Sequence, residues 1–564
     1  MFFNSQFYDN TQIQGFAVLE QVNTGDKTRQ FATLKETLLE GEVSGPVADL
    51  LLTQIFSFQC VETEIDEPIE AIYRFPLPGD AAVNKVSVKF RDVEIRTTLL
   101  SRKKAEENYK EASNTYRQAA MLIRESPDIF TLLINGIKPG EEVKIKTSFV
   151  LAGSSNKIGF SFRIPLTTAP KYVFKDEIHS SHTIGNQLIT IQNPLQRFSI
   201  RLRSLGAGSL ESPTHQISKK DGYYLLTSGK VIPDKDFGLI YRPFPNLDQI
   251  SLKIFSSGGD DPCLLALVTP PVESSPRIPL DVIVLVDHSG SMSGCKQRSA
   301  DQAIKQYLNR FSPDDLFNLC LFDDRQYWYA ENPVPANIIN RDNAIEFLKN
   351  KHTGGTKLGD AIEQALFQNR SKDPVSRHLL IITDAEVADF GRINSLIDEE
   401  SERIDKRRCS IICIDSSPNF LLAKRIADKT GGISMYLTSK SGEGNITDAI
   451  NDALSSWEHI IAEGVLLSVN RSLVITSRRT KSSEGSSLIE IPPVGLSRPS
   501  WIMLKTFHES DPITCSLILP DGSKIISEIY EIPVIRSLVG AWIIQELELL
   551  MHSYPTDDTI PKND

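Results

Sequence analysis

The stretch DVIVLVDHSGSMSG, Asp281–Gly294, decides how the middle of this chain folds. Its run Val282–Val286 is apolar at every position, as is typical of a strand that is buried on both faces of a parallel sheet. The run ends on Asp287, and two serines, Ser289 and Ser291, follow at alternate positions. A buried strand thus leads directly into a carboxylate and two hydroxyl groups, which suggests that this loop holds a divalent cation.

Downstream of this stretch, apolar strand-like runs alternate with helical segments. Strands that are apolar on both faces and alternate with helices imply a doubly wound parallel sheet with helices on each side. We therefore predict a central α/β domain over residues 281–457. The strand-like runs are DVIVLVD, DLFNLCLFDD, HLLIITDA and CSIICID, and the helical segments include CKQRSADQAIKQYLNRF, RDNAIEFLKN, GDAIEQALFQ and FLLAKRIADKT.

Two further loops of this domain carry oxygen-bearing side chains. In HTGGTKLGDAI, the glycines Gly354 and Gly355 allow the backbone to turn tightly. A helix is expected to begin near Leu358, so Thr356 presents its hydroxyl at the entrance of a helix. In LLIITDAEV, another apolar strand ends on Asp384. Because ligands of open parallel sheets bind beyond the carboxyl ends of the strands, where strand order reverses, we expect these loops to meet at one edge.

The side chains of these three loops predict a metal site. Two carboxylates and three hydroxyls form a hard oxygen site, which favours Mg²⁺, Mn²⁺ or Ca²⁺ over zinc or copper. Mg²⁺ is the first choice because it retains waters and needs few protein carboxylates. With only two acidic ligands, the ion would take one more anionic ligand from outside. The candidate metal ligands are Asp287, Ser289, Ser291, Thr356 and Asp384.

The same residues are also compatible with simpler roles. Asp287 and Asp384 could be helix caps at strand–helix turns, and a site of this kind can persist after losing its metal. His288 and His352 flank the cluster. Residues at such positions are usually solvated, so neither histidine is assigned as a ligand.

The rest of the chain is organised around a proline-rich seam, TPPVESSPRIPL, which cannot continue a helix or an inner strand. Short alternating runs before the seam predict a β-sandwich, and alternation returns after residue 457. The segment VIRSLVGAWIIQELELLMH predicts a terminal helix. The predicted order is an N-terminal tail (1–30), a β-sandwich domain (31–155), further strands that pack with it (156–268), a linker (269–280), the α/β domain (281–457), a C-terminal β block (458–534), a helix (535–552) and a tail (553–564).

One segment of the N-terminal region departs from strand periodicity. In SRKKAEENYKEASNTYRQAAMLI, small and aromatic residues recur at helical spacing, with charges on the other face. We predict one amphipathic helix that lies on a sheet and uses this stripe as core. The stripe consists of Ala105, Tyr109, Ala112, Tyr116 and Ala119.

Charge and composition limit the function. The formal net charge of −11 argues against nucleic acid as the main partner, because phosphate binding needs a basic surface. No apolar run approaches the roughly 20 residues that a transmembrane helix needs, and MFFNSQFYDNTQIQG does not resemble a secretory signal. Seven dispersed cysteines suit a reducing compartment, so the cytoplasm is the expected location, with secretion as the alternative.

The central domain resembles the von Willebrand factor type A domain with its metal-ion-dependent adhesion site. The resemblance rests on DVIVLVDHSGSMSG, GGTKLGDAI and IITDAEV, in that order and spacing. It implies that the five candidate residues bind Mg²⁺ directly or through water, and that a carboxylate of a partner protein completes the coordination. Ala385 departs from the family's usual Asp-Gly and adds a methyl group beside Asp384.

The N-terminal region resembles the vault protein inter-alpha-trypsin domain. The resemblance rests on YRFPLPGDAAV, YKEASNTYRQAAML and PDIFTLLINGIKPGEEVKIKTSF, in which Pro139-Gly140 serves as a tight turn. This domain directly ahead of a type A domain is the arrangement of inter-alpha-trypsin inhibitor heavy chains and their intracellular relatives. The intracellular branch is the better comparison, and protease inhibition is not inferred.

The leading functional hypothesis is a non-enzymatic module that binds an acidic residue of a partner protein through Mg²⁺, with Mn²⁺ or Ca²⁺ as possible substitutes. One alternative is a structural scaffold with a vestigial metal site. Another is a Mg²⁺-dependent phosphoryl-transfer enzyme with Asp287 as nucleophile, although that chemistry usually requires a second acid where this chain has Ser289. The sequence leaves the partner, the pathway and the oligomeric state open.

Overall fold

The computed structural model describes most of the chain between residues 15 and 553. Within these limits, the residues outside the description are 17, 22–29, 58–68, 78–80, 91, 99, 116, 127–128, 139–140, 157–158, 169–196, 206–207, 233–235, 244–248, 272–276, 351–353, 372–374, 385–389, 415–419, 438–456, 463, 477–479, 484–485, 492–493, 496–498 and 508–510. The chain forms two compact units, the first built mainly on residues 1–154 and 160–244, the second mainly on residues 245–559.

The described residues of the first unit form strands and one helix. Its longest strand has 15 residues, which is enough to take part in two separate ladders. The strands are β1 (Gly15–Phe16), β2 (Val18–Gln21), β3 (Gln30–Ser44), β4 (Val47–Ser57), β5 (Ile69–Pro76), β6 (Ala82–Phe90), β7 (Val93–Arg96), β8 (Ala119–Ser126), β9 (Ile129–Ile137), β10 (Glu142–Ala152), β11 (Ser154–Asn156, at the unit boundary), β12 (Gly159–Ile164), β13 (Thr167–Thr168), β14 (Arg197–Ser204), β15 (Gly208–Glu211), β16 (Ile217–Lys220), β17 (Tyr223–Leu226) and β18 (Phe237–Pro243), and the helix is α1 (Arg102–Asn114).

Strand β3 links the two halves of this β-sandwich. Its residues 30–32 pair with β2, and its residues 33–44 pair with β4. The register shifts between Leu34 and Glu36, and a bulge of this kind is how one strand passes from one sheet to the next. The strand order is β7-β6-β10-β4-β3-β2-β5-β9-β8. Strand β2 lies within residues 1–30, so part of the predicted N-terminal tail belongs to the sheet.

Helix α1 is shorter than the sequence predicted. It ends at Asn114, and Ala119 begins strand β8 instead of continuing the apolar stripe. Tyr109 is buried as expected, and its hydroxyl donates to Glu70 Oε1 at 2.8 Å. Tyr116 and the Pro139-Gly140 turn lie outside the described residues. The helix ends early because SNT at residues 113–115 is a run of poor helix formers that favour turns.

Among the described residues, the second unit combines a mixed α/β sheet with three smaller β-sheets. Its strands are β19 (Ser251–Ser256), β20 (Cys263–Thr269), β21 (Leu280–Asp287), β22 (Leu316–Phe322), β23 (Gln326–Trp328), β24 (Val334–Pro335), β25 (Ser376–Thr383), β26 (Arg408–Ile414), β27 (Ser434–Leu437), β28 (Ile460–Ala462), β29 (Leu466–Val469), β30 (Leu473–Thr476), β31 (Thr480–Ser483), β32 (Ser486–Glu490), β33 (Val494–Gly495), β34 (Ser500–Thr506), β35 (Cys515–Ile518), β36 (Lys524–Ile526) and β37 (Ile529–Glu531), and its helices are α2 (Cys295–Arg310), α3 (Ile338–Phe347), α4 (Leu358–Phe367), α5 (Phe390–Glu402), α6 (Phe420–Thr430) and α7 (Ile535–Ser553).

The central sheet is the doubly wound parallel sheet that the sequence predicted. Its parallel strands follow the order β22-β21-β25-β26-β27, and the short strands β23 and β24 pair antiparallel with β22. Helices α2 and α3 pack against one face, and α4, α5 and α6 cover the other. All eight residues of β21 are buried, as its apolar run indicated. Strand order reverses at β21, and this position makes its carboxyl end the expected ligand edge.

Strands β19 and β20 belong to the second unit, although the alternating pattern of residues 156–268 predicts that they pack with the N-terminal sandwich. They join a sheet of order β30-β34-β20-β19-β37, in which Val268 pairs with Ser500. The sequence pattern does not reveal this arrangement, because β20 is buried over Cys263–Val268 and pairs with β34, which lies more than 200 residues later in the chain. Helix α7 packs against β20 and α5. Among the described residues, no helix is both long enough and apolar enough to cross a membrane.

Candidate metal centre

The end of β21 lies between the ends of its two parallel neighbours. Asp287 is the last residue of β21 and pairs in register with Phe322 of β22. On the other side, Val286 pairs with Ile382 of β25, so Thr383 and Asp384 come at the same edge of the sheet. The strand order of the sheet therefore brings the two acidic residues to the same edge.

Asp287 is fully buried, and both of its carboxylate oxygens accept hydrogen bonds. The backbone N–H of Ser289 donates to Oδ1 at 2.8 Å, and the Thr383 hydroxyl donates to Oδ2 at 2.6 Å. Burial raises the pKa of Asp287 to about 6, because a charged carboxylate is poorly solvated there. The two donors oppose this rise, and the nearby charge of Asp384 adds to it. The carboxylate is thus held in place, with its charge only partly compensated.

The two serines form the turn that follows β21. Ser289 precedes a 3₁₀ turn, Gly290–Met292, and its hydroxyl oxygen lies 3.0 Å from that of Ser291. The side chain of Met292 is buried in the core and anchors this turn. Gly294 then takes a φ of 89°, a conformation that suits glycine, and starts helix α2.

Thr356 lies in a loop that is hydrogen-bonded to its neighbours on both sides. Upstream, the N–H of Gly290 donates to Gly354 O at 3.2 Å; downstream, the N–H of Lys357 donates to Asp323 O at 2.8 Å. Thr356 itself is half-buried, and α4 begins at Leu358 as predicted.

The two glycines of this loop differ in the space around their Cα atoms. Neither Gly354 nor Gly355 has a positive φ. A Cβ at Gly354 would lie 2.3 Å from Asp324 Oδ1 and 3.0 Å from Asp323 Cγ, so these two side chains would have to shift. A Cβ at Gly355 would meet no atom within 4 Å.

Asp384 completes the acidic pair and has one oxygen without a hydrogen bond. Its side chain is 2% exposed, and its buried Oδ1 finds no hydrogen-bond partner among the described residues. Its Oδ2 lies 3.4 Å from the ammonium of Lys296, which is also 3.3 Å from Ser291 O. A buried carboxylate oxygen without a donor is costly in a folded protein unless a cation or water satisfies it.

Lys296 and Thr383 belong to this site, although no sequence pattern pointed to them. Thr383 could have been noticed as the last residue of the strand before Asp384. Lys296 gave no signal, because a lysine in the first turn of an amphipathic helix is normally a solvated charge.

The prediction that His288 is solvated was wrong. Its side chain is buried, with Nδ1 3.1 Å from Gln297 Nε2 and Nε2 3.5 Å from Asp301 Oδ1, both residues of α2. Because successive strand residues point to opposite sides, His288 turns toward α2. His352 and Ala385 lie outside the described residues.

The residues of this edge fit a hard divalent cation better than a set of helix caps. Asp287 caps neither the 3₁₀ turn nor α2, whose N-caps are Ser289 and Gly294. Among the described residues, no three or more His, Cys, Asp or Glu side chains form a group that could hold a metal. A cation here would therefore rely on hydroxyl oxygens beside the two carboxylates, which is chemistry that Mg²⁺ accepts.

The second unit thus contains an α/β domain with a pair of buried carboxylates and hydroxyl groups at its topological switch point. Residues 280–436 match the von Willebrand factor type A domain family, and residues 34–149 match the vault protein inter-alpha-trypsin domain family. The chain therefore carries a vault protein inter-alpha-trypsin domain followed by a von Willebrand factor type A domain. All five candidate ligands lie within the second match.

Several known proteins are similar to this chain over most of its length. von Willebrand factor A domain-containing protein 5A of Rattus norvegicus is 23% identical over 445 residues, which cover 70% of this chain and 53% of that protein. Protein mono-ADP-ribosyltransferase PARP4 of Mus musculus is 22% identical over 416 residues, which cover 71% of this chain and 20% of that protein. The chain thus spans about half, or less, of the length of these relatives.

One solved structure, a von Willebrand factor type A protein from Catenulispora acidiphila, is 13% identical and has a TM-score of 0.40. The match covers 51% of this chain and 76% of that chain.

Proposed function

We propose that the von Willebrand type A domain binds a partner protein by holding Mg²⁺ at the carboxyl end of β21, where the ion accepts a carboxylate of the partner. Asp287, Ser289, Ser291, Thr356 and Asp384 would hold the ion. When bound, Mg²⁺ supplies a strong Lewis-acid contact to an anionic oxygen. Mn²⁺ and Ca²⁺ are possible substitutes.

The observation that carries this proposal is the buried Oδ1 of Asp384. This oxygen finds no donor among the described residues, and the charge of Asp384 lies close enough to Asp287 to raise the pKa of Asp287. Two carboxylates that are buried near each other repel, and a divalent cation offsets both the repulsion and the loss of hydration.

The surroundings of the site are suited to a protein partner. Gly290 and Gly355 are exposed, while Asp287 is buried beneath them. A partner side chain could therefore reach this edge of the sheet from solvent without opening the core. The loops around the ion would supply specificity, and the ion would supply a directional contact to the acidic group.

Binding without catalysis is favoured by the environment of Asp287. Both of its oxygens accept hydrogen bonds from within the fold, and the residue is fully buried. A phosphoryl-accepting nucleophile must be reached by its phosphate substrate, and the residue two positions on, Ser289, cannot act as the usual acid. A cytoplasmic location and the absence of a nucleic-acid partner remain predictions.

The test is calorimetric titration of the full chain with MgCl₂ after treatment with a chelator. We expect one Mg²⁺ site in the wild type and in Asp342→Ala, a control that removes an exposed carboxylate on α3. We expect no binding heat in Asp384→Asn or in Asp287→Ala combined with Ser289→Ala. A wild type that binds no Mg²⁺ would favour the structural scaffold over the metal-dependent module.

A second measurement tests the adhesive role itself. Affinity capture of binding proteins is compared in Mg²⁺ and in chelator, for the wild type and for Asp384→Asn. We expect captured proteins that depend on both Mg²⁺ and Asp384. Capture that persists undiminished in chelator would refute the metal-dependent mechanism.

A further inference from the structure

The metal centre contains a positive charge of its own. Lys296, in the first turn of α2, has a side chain that is only 8% exposed. Its ammonium lies 3.4 Å from Asp384 Oδ2 and 3.3 Å from Ser291 O. It thus contacts two of the five residues proposed to hold the ion, which is unusual because a buried ammonium is costly to desolvate.

This ammonium changes the charge of the site. Without it, the two carboxylates would carry two negative charges, and a bound divalent cation would bring the site to neutrality. With it, the two carboxylate ligands and the lysine together carry one negative charge before the ion binds and one positive charge afterwards. The same lysine therefore opposes the binding of a cation and favours the binding of an anion to the loaded site.

We propose that Lys296 sets the ligand preference of this site, by weakening its hold on the divalent cation and leaving the loaded site positively charged, so that it selects an anionic carboxylate. This proposal rests on the proposed function and adds to it a residue that is not a metal ligand. Lys296 would act by its charge and by positioning Asp384, and it would not contact the carboxylate of the partner.

A merely structural role for Lys296 predicts a different result. If the lysine only fixed the position of Asp384, its removal would loosen a ligand and weaken cation binding. If it sets the charge, its removal strengthens cation binding and weakens the binding of an anion. The two roles are therefore separated by the sign of the change.

The experiment uses Mn²⁺ as the cation and acetate as the anion, with the full chain. Water-proton relaxation reports Mn²⁺ binding and falls when acetate displaces water from the bound ion. The variants are Lys296→Met, which removes the charge, and Lys296→Arg, which keeps it. The matched control is Lys305→Met, which removes an exposed ammonium from the same helix.

We expect Lys296→Met to bind Mn²⁺ about tenfold more tightly than the wild type and to bind acetate about tenfold more weakly. Lys296→Arg and Lys305→Met should stay within about twofold of the wild type for acetate. If Lys296→Met does not fold, as judged by circular dichroism, then Lys296→Gln, which retains a hydrogen-bond donor, takes its place with the same expectation.

Two failures can be told apart. In the first case, both the wild type and Lys296→Met bind Mn²⁺, but the variant binds it no more tightly than the wild type, or its acetate binding is unchanged. This result would overturn the role of Lys296 and leave the proposed metal site standing. Absence of Mn²⁺ binding in the wild type and in every variant would overturn the proposed function, and the role of Lys296 with it.

Discussion

Replacing the buried carboxylate of Asp287 by an amide should stabilise the protein when no metal is bound. Asp287→Asn keeps the shape of the side chain and removes its charge. The amide can be accommodated, because its oxygen can still accept from Ser289 N–H. Its NH₂ group can donate to the oxygen of Thr383, whose hydroxyl now donates to Asp287. Asp287→Asn therefore measures the free-energy cost of the buried charge without the additional cost of lost packing.

The magnitude follows from the pKa of Asp287. Burial raises that pKa from 3.8 to about 6, and a difference of this size corresponds to about 3 kcal/mol of unfavourable free energy for the charged form. A carboxyl whose pKa is raised on folding stabilises the protein below pH 4, where it is protonated in both states. This contribution is lost as the pH rises through about 6. Asp287→Asn has no carboxyl to ionise at this position, so its free energy of unfolding should exceed that of the wild type most above pH 7.

The assay is urea unfolding of the full chain in chelator, followed by fluorescence, at pH 8 and at pH 4.5. We expect the transition of the α/β domain to be about 1–3 kcal/mol more stable in Asp287→Asn than in the wild type at pH 8, and this difference to shrink to about a third of that at pH 4.5, where the folded carboxyl is protonated and the unfolded one is largely ionised. The control Asp342→Asn should show no such difference, because its carboxylate is exposed. Saturating Mg²⁺ should reverse the order, since it stabilises only the protein that binds it. An Asp287→Asn protein that is less stable than the wild type at pH 8 would refute the reasoning.

Three further predictions concern the α/β domain. Arg407 is fully buried and pairs with Asp281 at 2.8 Å. Urea unfolding of Arg407→Met should therefore show a free energy of unfolding about 3–5 kcal/mol lower than that of the wild type, because the Asp281 charge stays buried without its partner. Adding Asp281→Leu removes that charge and should recover most of the lost stability. Burial holds the pKa of His378 well below its usual 6.5. Below pH 6.5 only the unfolded chain protonates this imidazole, so the free energy of unfolding should fall by up to about 1.4 kcal/mol per pH unit as the pH is lowered. The same pH dependence in His378→Gln would contradict this prediction. Gly354→Ala should weaken Mg²⁺ binding several-fold in calorimetry while Gly355→Ala does not, because only the first Cβ meets neighbouring atoms; equal effects would contradict it.

The parts of the fold that could be predicted from the sequence are those whose structure depends on a short local pattern of apolar and polar residues. Strand β21 and the start of α4 at Leu358 were found because burial on both faces and helical spacing leave local patterns. The pairing of β20 with β34 was not found, because a buried strand can join any sheet that offers a free edge. The end of α1 at Asn114 was missed because the apolar stripe continues into β8 with residues that suit either structure.

The candidate site was predictable to the extent that its groups follow strands in sequence. Asp287 and Asp384 were found because each ends an apolar run, and the strand order brings such ends together. Lys296 could not be found this way, because its role depends on the packing of α2 over the sheet edge and not on its neighbours in sequence. The charge of a metal site is therefore not determined by its ligand motif alone. Two domains with the same acidic and hydroxyl residues would differ in ion affinity and in preference for anions if only one of them buried an ammonium against Asp384.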